Sequence, residues 1–177
     1  MSGVRFLEPL IQQQIDGTAW TTQTTPGSIL APAAKFTLPA NFMEIGRHLK
    51  LRASGRMSTQ ATPGTLTLDV RFGSIVVLNG GASGTLNASQ TNVTWRLEAD
   101  LICRSIGAST TATMYGTMLM HSLGMSASLP SVVFPTTSPA AGTGFDSTVA
   151  FVVDLFATWS AASNSIRCDD FELLAVN

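Results

Sequence analysis

The sequence predicts an all-β fold, an antiparallel two-sheet β-sandwich with jelly-roll-like connections and a short N-terminal arm. Three observations predict it. Polar and apolar residues alternate by twos through most of the chain after residue 35, the period of a strand with one buried face. Clusters of Gly, Pro, Asn and Ser separate the alternating runs. Several of these separators are too long for hairpins, so the chain is expected to cross between two sheets. A closed barrel is the alternative, and without an internal repeat a propeller is not expected.

The longest alternating run organises the rest. In VTWRLEADLICRSI, Val93 to Ile106, the residues Val93, Trp95, Leu97, Ala99, Leu101 and Cys103 fall on one side. Thr94, Arg96, Glu98, Asp100 and Arg104 fall on the other, with Ile102 as an apolar intruder. At roughly 3.3 Å per residue such a strand runs about 40 Å, and only a central position covers that much apolar face.

Taken in order, residues 5–16 differ from all that follows. Phe6, Leu7, Leu10, Ile11 and Ile15 recur at intervals of three and four, which is helical spacing, with Pro9 suited to a first turn and Gly17 to a stop. So short a helix is marginal alone and must dock on something; an extended strand is the competing reading. Residues 17–34 are polar and punctuated by Pro26, Gly27 and Pro32, with Trp20 and the pair Ile29–Leu30 as apolar points. They read as a linker or clasping arm, or as an edge strand folded back. The expected division is therefore an arm over 1–34 and a sandwich over 35–177. Within the sandwich, strands are expected at KFTLP, at HLKLRAS (48–54), at TLTLDVRF (65–72) and at SIVVL, followed by a flexible loop over 79–89. After the long strand, TATMYGTMLMH (111–121) is apolar on both sides, as in a strand buried twice or placed at an interface. A Ser-, Pro- and Gly-rich stretch over 122–147 contains SVVF. VAFVVDLFATW (149–159) and SIRCDDFELLAV (165–176) close the set, with Asp169–Asp170 marking a bulge.

Composition narrows the function. Charged residues are 12% of the chain and apolar residues 45%, with a net charge of −1. Nucleic-acid binding needs a basic face, so it is not expected. Low charge with high apolar content points to surface buried in subunit contacts. The opening residues lack the signature of a secretory signal, and no run of about 18 apolar residues exists, so neither export nor a membrane span is expected. Cys103 and Cys168 then read as buried reduced thiols, or as a bridge if their strands are neighbours.

No catalytic chemistry stands out, and no enzyme is expected. His48 and His121 lie in unrelated segments without an obvious nucleophile. Glu98 and Asp100 share a strand face and could serve as an acid–base pair on a sugar, but Arg96 and Arg104 flank them, which favours ion pairing. Asp169–Asp170 is a weak calcium signal; no metal or cofactor is expected. Asn87 and Asn92 match glycosylation acceptors by chance when no secretory signal is present. Of the three tryptophans, Trp95 belongs to the core side of its strand; Trp159, at a strand end, reads as a core residue too, with stacking on a ligand as the competing reading.

Four stretches carry a resemblance: FTLPANFMEIGRHLKLRASG, TLTLDVRFGSIVVLN, WRLEADLICRSIGAST and VDLFATWSAASNSIRCDDFEL. Their pattern of Phe42, Gly46, Arg47, Gly55, Gly73, Trp95, Cys103, Arg104, Trp159 and Asn164 resembles that of small structural proteins of tailed bacteriophages, over residues 36–174. The resemblance implies a virion component, a capsid decoration protein or a tail or fibre subunit, that forms homo-oligomers, often trimers. A non-enzymatic decoration protein held to a neighbour or to the major capsid protein is the leading expectation, with Phe6, Leu7, Leu10, Ile11, Ile15 and Trp20 as assembly contacts. A carbohydrate-binding module using Trp159 is the rival.

Overall fold

The computed structural model describes residues 6–125, 130–135 and 144–176. Twelve strands follow one another: β1 (Leu7–Gln12), β2 (Trp20–Thr21), β3 (Gly27–Ser28), β4 (Phe36–Leu38), β5 (His48–Ser58), β6 (Leu66–Phe72), β7 (Ile75–Ala82), β8 (Val93–Ser105), β9 (Thr113–Ser122), β10 (Ser131–Phe134), β11 (Phe151–Trp159) and β12 (Ser165–Val176). They form two antiparallel sheets packed as a sandwich. The larger has the order β1-β12-β5-β8-β9-β10, with β2 also on β12. The smaller has the order β3-β11-β6-β7, with β4 also on β11.

The long strand β8 lies inside the larger sheet, between β5 and β9, and its residues alternate between buried and outward positions. Trp95 is fully buried and its indole N–H donates to the Arg167 carbonyl at 3.2 Å, so its ring ties β8 to β12 across β5. Gly55 lies between them: a Cβ there would come within 1.9 Å of the Arg167 oxygen, so a side chain has no room. The bulge expected at Asp169–Asp170 is present as a register shift between Cys168 and Asp170. Both thiols are free and buried. Burial pushes Cys168 up to about 12 and also raises Cys103.

The N-terminal segment differs from the helical expectation. Residues 7–12 are a strand paired antiparallel with β12. The physical reason is the open edge of β12, which satisfies a whole row of backbone groups that a short helix would leave to its ends. Pro9 is tolerated because β1 is an edge strand. Residues 17–34 are not a separate arm either. Gly17 N–H donates to Cys168 O at 2.7 Å, β2 pairs with the start of β12, and β3 crosses to β11. Ile29, Leu30, Ala31 and Ala34 are buried core residues. The boundary expected at 34/35 thus divides residues that share one core. Strand β7 also runs on to Ala82, further than SIVVL, through register shifts against β6 that accommodate its glycines. Much of the 122–147 stretch lies outside the described residues, but β10 inside it pairs with β9.

Candidate interaction surface

The outward face of the larger sheet can be built row by row from its register. Residues directly opposite on neighbouring antiparallel strands share a face. Leu7 pairs with Val176, Val176 with His48, His48 with Ile102, and Ile102 with Tyr115. This places four apolar or aromatic side chains and one imidazole in a transverse line across five strands. The next row is Pro9, Leu174, Lys50, Asp100 and Thr117; the one after is Gln12, Glu172, Arg52, Glu98 and Leu119. Strand β5 therefore presents cations, Lys50 and Arg52, directly beside the carboxylates of Asp100 and Glu98 on β8. Lys50 reaches Asp100 at 3.3 Å, and both side chains are about half exposed. Glu98 is held by Arg96 at 2.7 Å, and Glu172 by Gln12 at 3.1 Å. Ion pairing, as expected for Glu98 and Asp100, accounts for this face.

The first row faces two shallow depressions. One, about 430 Å³, is lined by Phe6, Leu7, His48, Lys50, Asp100 and Val176. The other, about 240 Å³, includes Ile102, Arg104, Tyr115 and Thr117. The Arg104 guanidinium lies over the Tyr115 ring at 5.1 Å.

Exposed apolar residues gather at the same end of the molecule. Among the described residues eight large apolar side chains are exposed, and five of them, Phe6, Leu7, Ile45, Ile106 and Val149, belong here. The loops that carry the last three are held together: Gly46 N–H donates to Cys103 O, Ser147 N–H to Gly107 O, and Asn41 N–H to Ser147 O, each at 2.9 Å. The Asp146 carboxylate accepts from the Thr148 hydroxyl and N–H and from Ser109 N–H, which hold its pKa below the usual value. Gly46 supplies the turn at φ +88°, and Arg47 lies over the Phe42 ring at 4.6 Å.

The opposite end is knit by buried polar side chains. Asn164 is 1% exposed. Its amide donates to the carbonyls of Pro63 and Ala161, both at 2.9 Å, and its oxygen accepts from Gln60 N–H at 3.0 Å. Thr59 bonds to Asn87 O and Gln90 N–H, and Ser83 accepts from Leu66 N–H.

The six proposed assembly residues separate in this arrangement. Phe6 and Leu7 belong to the apolar end, and Ile15 is exposed elsewhere. Leu10, Ile11 and Trp20 are half-buried against the core, with the Trp20 ring packed over Gly27. Trp159 is 1% exposed, so it is a core residue with no face to offer a ligand. Its strand pairs Trp159 with Leu66, which turns the ring inward. That His48, Ile102 and Tyr115 share one row was not visible in the sequence; the only signal was the single apolar intruder in the wet side of β8. Among the described residues no group of three or more His, Cys, Asp or Glu side chains could hold a metal ion.

No family model matches the sequence, and no curated relative matches it. Among solved structures, the chain is similar to the CBM2 module of the evolved Dit of Lactobacillus casei BL23 phage J-1, with 9% identity and a TM-score of 0.35 over 98% of this chain and 97% of that one.

Proposed function

We propose that this chain is a non-enzymatic structural subunit of a bacteriophage virion, with capsid decoration as the leading role and a tail or fibre subunit as the second. The observation that carries the reading is the apolar end, where five exposed large apolar side chains adjoin a mostly apolar row. Apolar surface gathered in one place favours burial against another protein. The strand order supports a jelly-roll reading. Strands β1-β12-β5-β8 and β3-β11-β6-β7 are the two four-stranded halves of such a fold, and β9 and β10 extend the first. The sequence resemblance to small structural proteins of tailed phages points to the same setting. Self-association and contact with the major capsid protein belong to this reading, and so does a place in the virion.

Immunogold labelling of phage particles from a lysate that contains the chain tests it. Label on heads supports decoration, and label on tails supports the tail or fibre subunit. Protein found only in the soluble fraction, with bare particles, sinks the virion reading.

A further inference from the structure

We infer that the outward face of the larger sheet pairs with the same face of a second copy, about a two-fold axis running along the strands between β5 and β8. The inference deepens the proposed structural role, on which it rests, by naming the partner and the surface. Its ground is charge arrangement. Along β5 the outward side chains are His48, Lys50, Arg52, Ser54 and Arg56, with three cations and no acid among them. In register with the two central cations, β8 presents Asp100 and Glu98. Rotation by 180° about an axis between these strands sets Lys50 of one copy over Asp100 of the other, and Arg52 over Glu98, each contact occurring twice. The face thus fits itself, as an isologous contact requires.

The apolar row extends the fit. The same rotation lays His48 over Ile102 and Val176 over Tyr115, and brings the apolar edge near Leu7 across the second sheet. Five strands at about 4.8 Å spacing and three to four register rows cover a face of about 500 Å², or about 1,000 Å² between two copies, the lower bound for a specific contact. Lys50 and Asp100 bond within one chain at 3.3 Å and can exchange partners across the axis with little rearrangement. The resulting pair is two-fold, so a trimer of the kind the resemblance implies would use another surface.

The test is a complementation by charge reversal in the full chain, read by analytical ultracentrifugation. One variant carries Lys50→Glu and Arg52→Glu; the other carries Glu98→Lys and Asp100→Lys. The wild type should form a dimer that weakens with added salt. Each variant alone should dissociate at least a hundredfold more readily, while a one-to-one mixture should restore the dimer. Thermal unfolding of each variant as a single transition, within a few degrees of the wild type, establishes that the sandwich is intact. If a variant fails to fold, Lys50→Gln with Asp100→Asn replaces it and should weaken the dimer about tenfold. A wild-type monomer at high concentration, variants that dimerise like the wild type, or a mixture that stays monomeric would each overturn the inference. A monomer that still labels particles would overturn this pairing and leave the virion role standing. A dimer that never joins particles would do the reverse.

Discussion

The two ends of the sandwich differ in what they hide. At the Asn164 end, buried polar side chains close three loops by satisfying backbone groups that would otherwise lie dry. At the His48 end, loops are also tied by backbone hydrogen bonds, but Ile45, Ile106 and Val149 are exposed, as are Phe6 and Leu7. One end spends its side chains on the fold. The other keeps apolar area that the fold does not use. Buried polar closure and spare apolar area thus lie at opposite ends, with the core and the charged face of the larger sheet, the inferred contact between copies, running between them.

The largest effect should come from treating the N-terminal segment as dispensable. Removing residues 1–32 takes away β1, β2, β3 and the buried Ile29, Leu30 and Ala31. Loss of each large core side chain costs about 2–5 kcal/mol, against a total stability of about 5–15 kcal/mol. The truncated chain should show no cooperative unfolding by circular dichroism. A well-folded truncation would restore the separate arm that the sequence suggested.

Asn164→Ala should come next. It leaves one buried carbonyl, one part-buried carbonyl and one part-buried N–H without their partners and should cost about 2 kcal/mol or more, read as a lower urea midpoint. Self-association should not change. The mirror experiment is Ile106→Ser with Leu7→Ser at the other end. Both side chains are exposed, so stability should stay within about 0.5 kcal/mol, while the sedimentation profile moves toward monomer. Weaker association after Asn164→Ala, or a large stability loss after the serine changes, would erase the division between the ends.

The effect that is smallest at neutral pH lies between them. Cys168 binds its proton more tightly folded, at about 12, than its ordinary value of 9.0. The folded state therefore holds more protons over that interval, and stability falls as pH rises through it. The contribution is complete below pH 9 and lost toward 12, at a slope of at most about 1.4 kcal/mol per pH unit. Urea titrations above pH 9 should show a steeper loss in the wild type than in Cys168→Ala. Equal slopes would mean that other groups account for the alkaline loss.

Much of the fold was legible because period two is a strong signal wherever one face is buried. Strand β8 matched its predicted span to within a residue, and the Asp169–Asp170 bulge showed in two adjacent acids. The N-terminus was legible only as a choice between helix and strand, for a physical reason. Leu7, Leu10 and Ile11 fit three-and-four spacing by coincidence, because β1 is an edge strand bulged between Pro9 and Ile11, and a bulge breaks alternation. Ile29 and Leu30 looked like sticky points on an arm because sequence shows that a residue is apolar but not which core receives it. Trp159 left a core and a ligand reading open from its place at a strand end, and its burial decides for the core. The candidate surface was least legible. Its apolar row takes one residue from each of five strands, and only register brings them into line.

Hydrogen–deuterium exchange of the full chain at low and high protein concentration tests the division of labour most directly. Raising the concentration should slow exchange at Phe6–Leu7, in the loops of Ile45 and Ile106, and along the outward rows of β5 and β8. Exchange around Thr59, Asn87 and Asn164 should be the same at both concentrations. Protection gained at the Asn164 end, or on the smaller sheet, with none near His48, would contradict it.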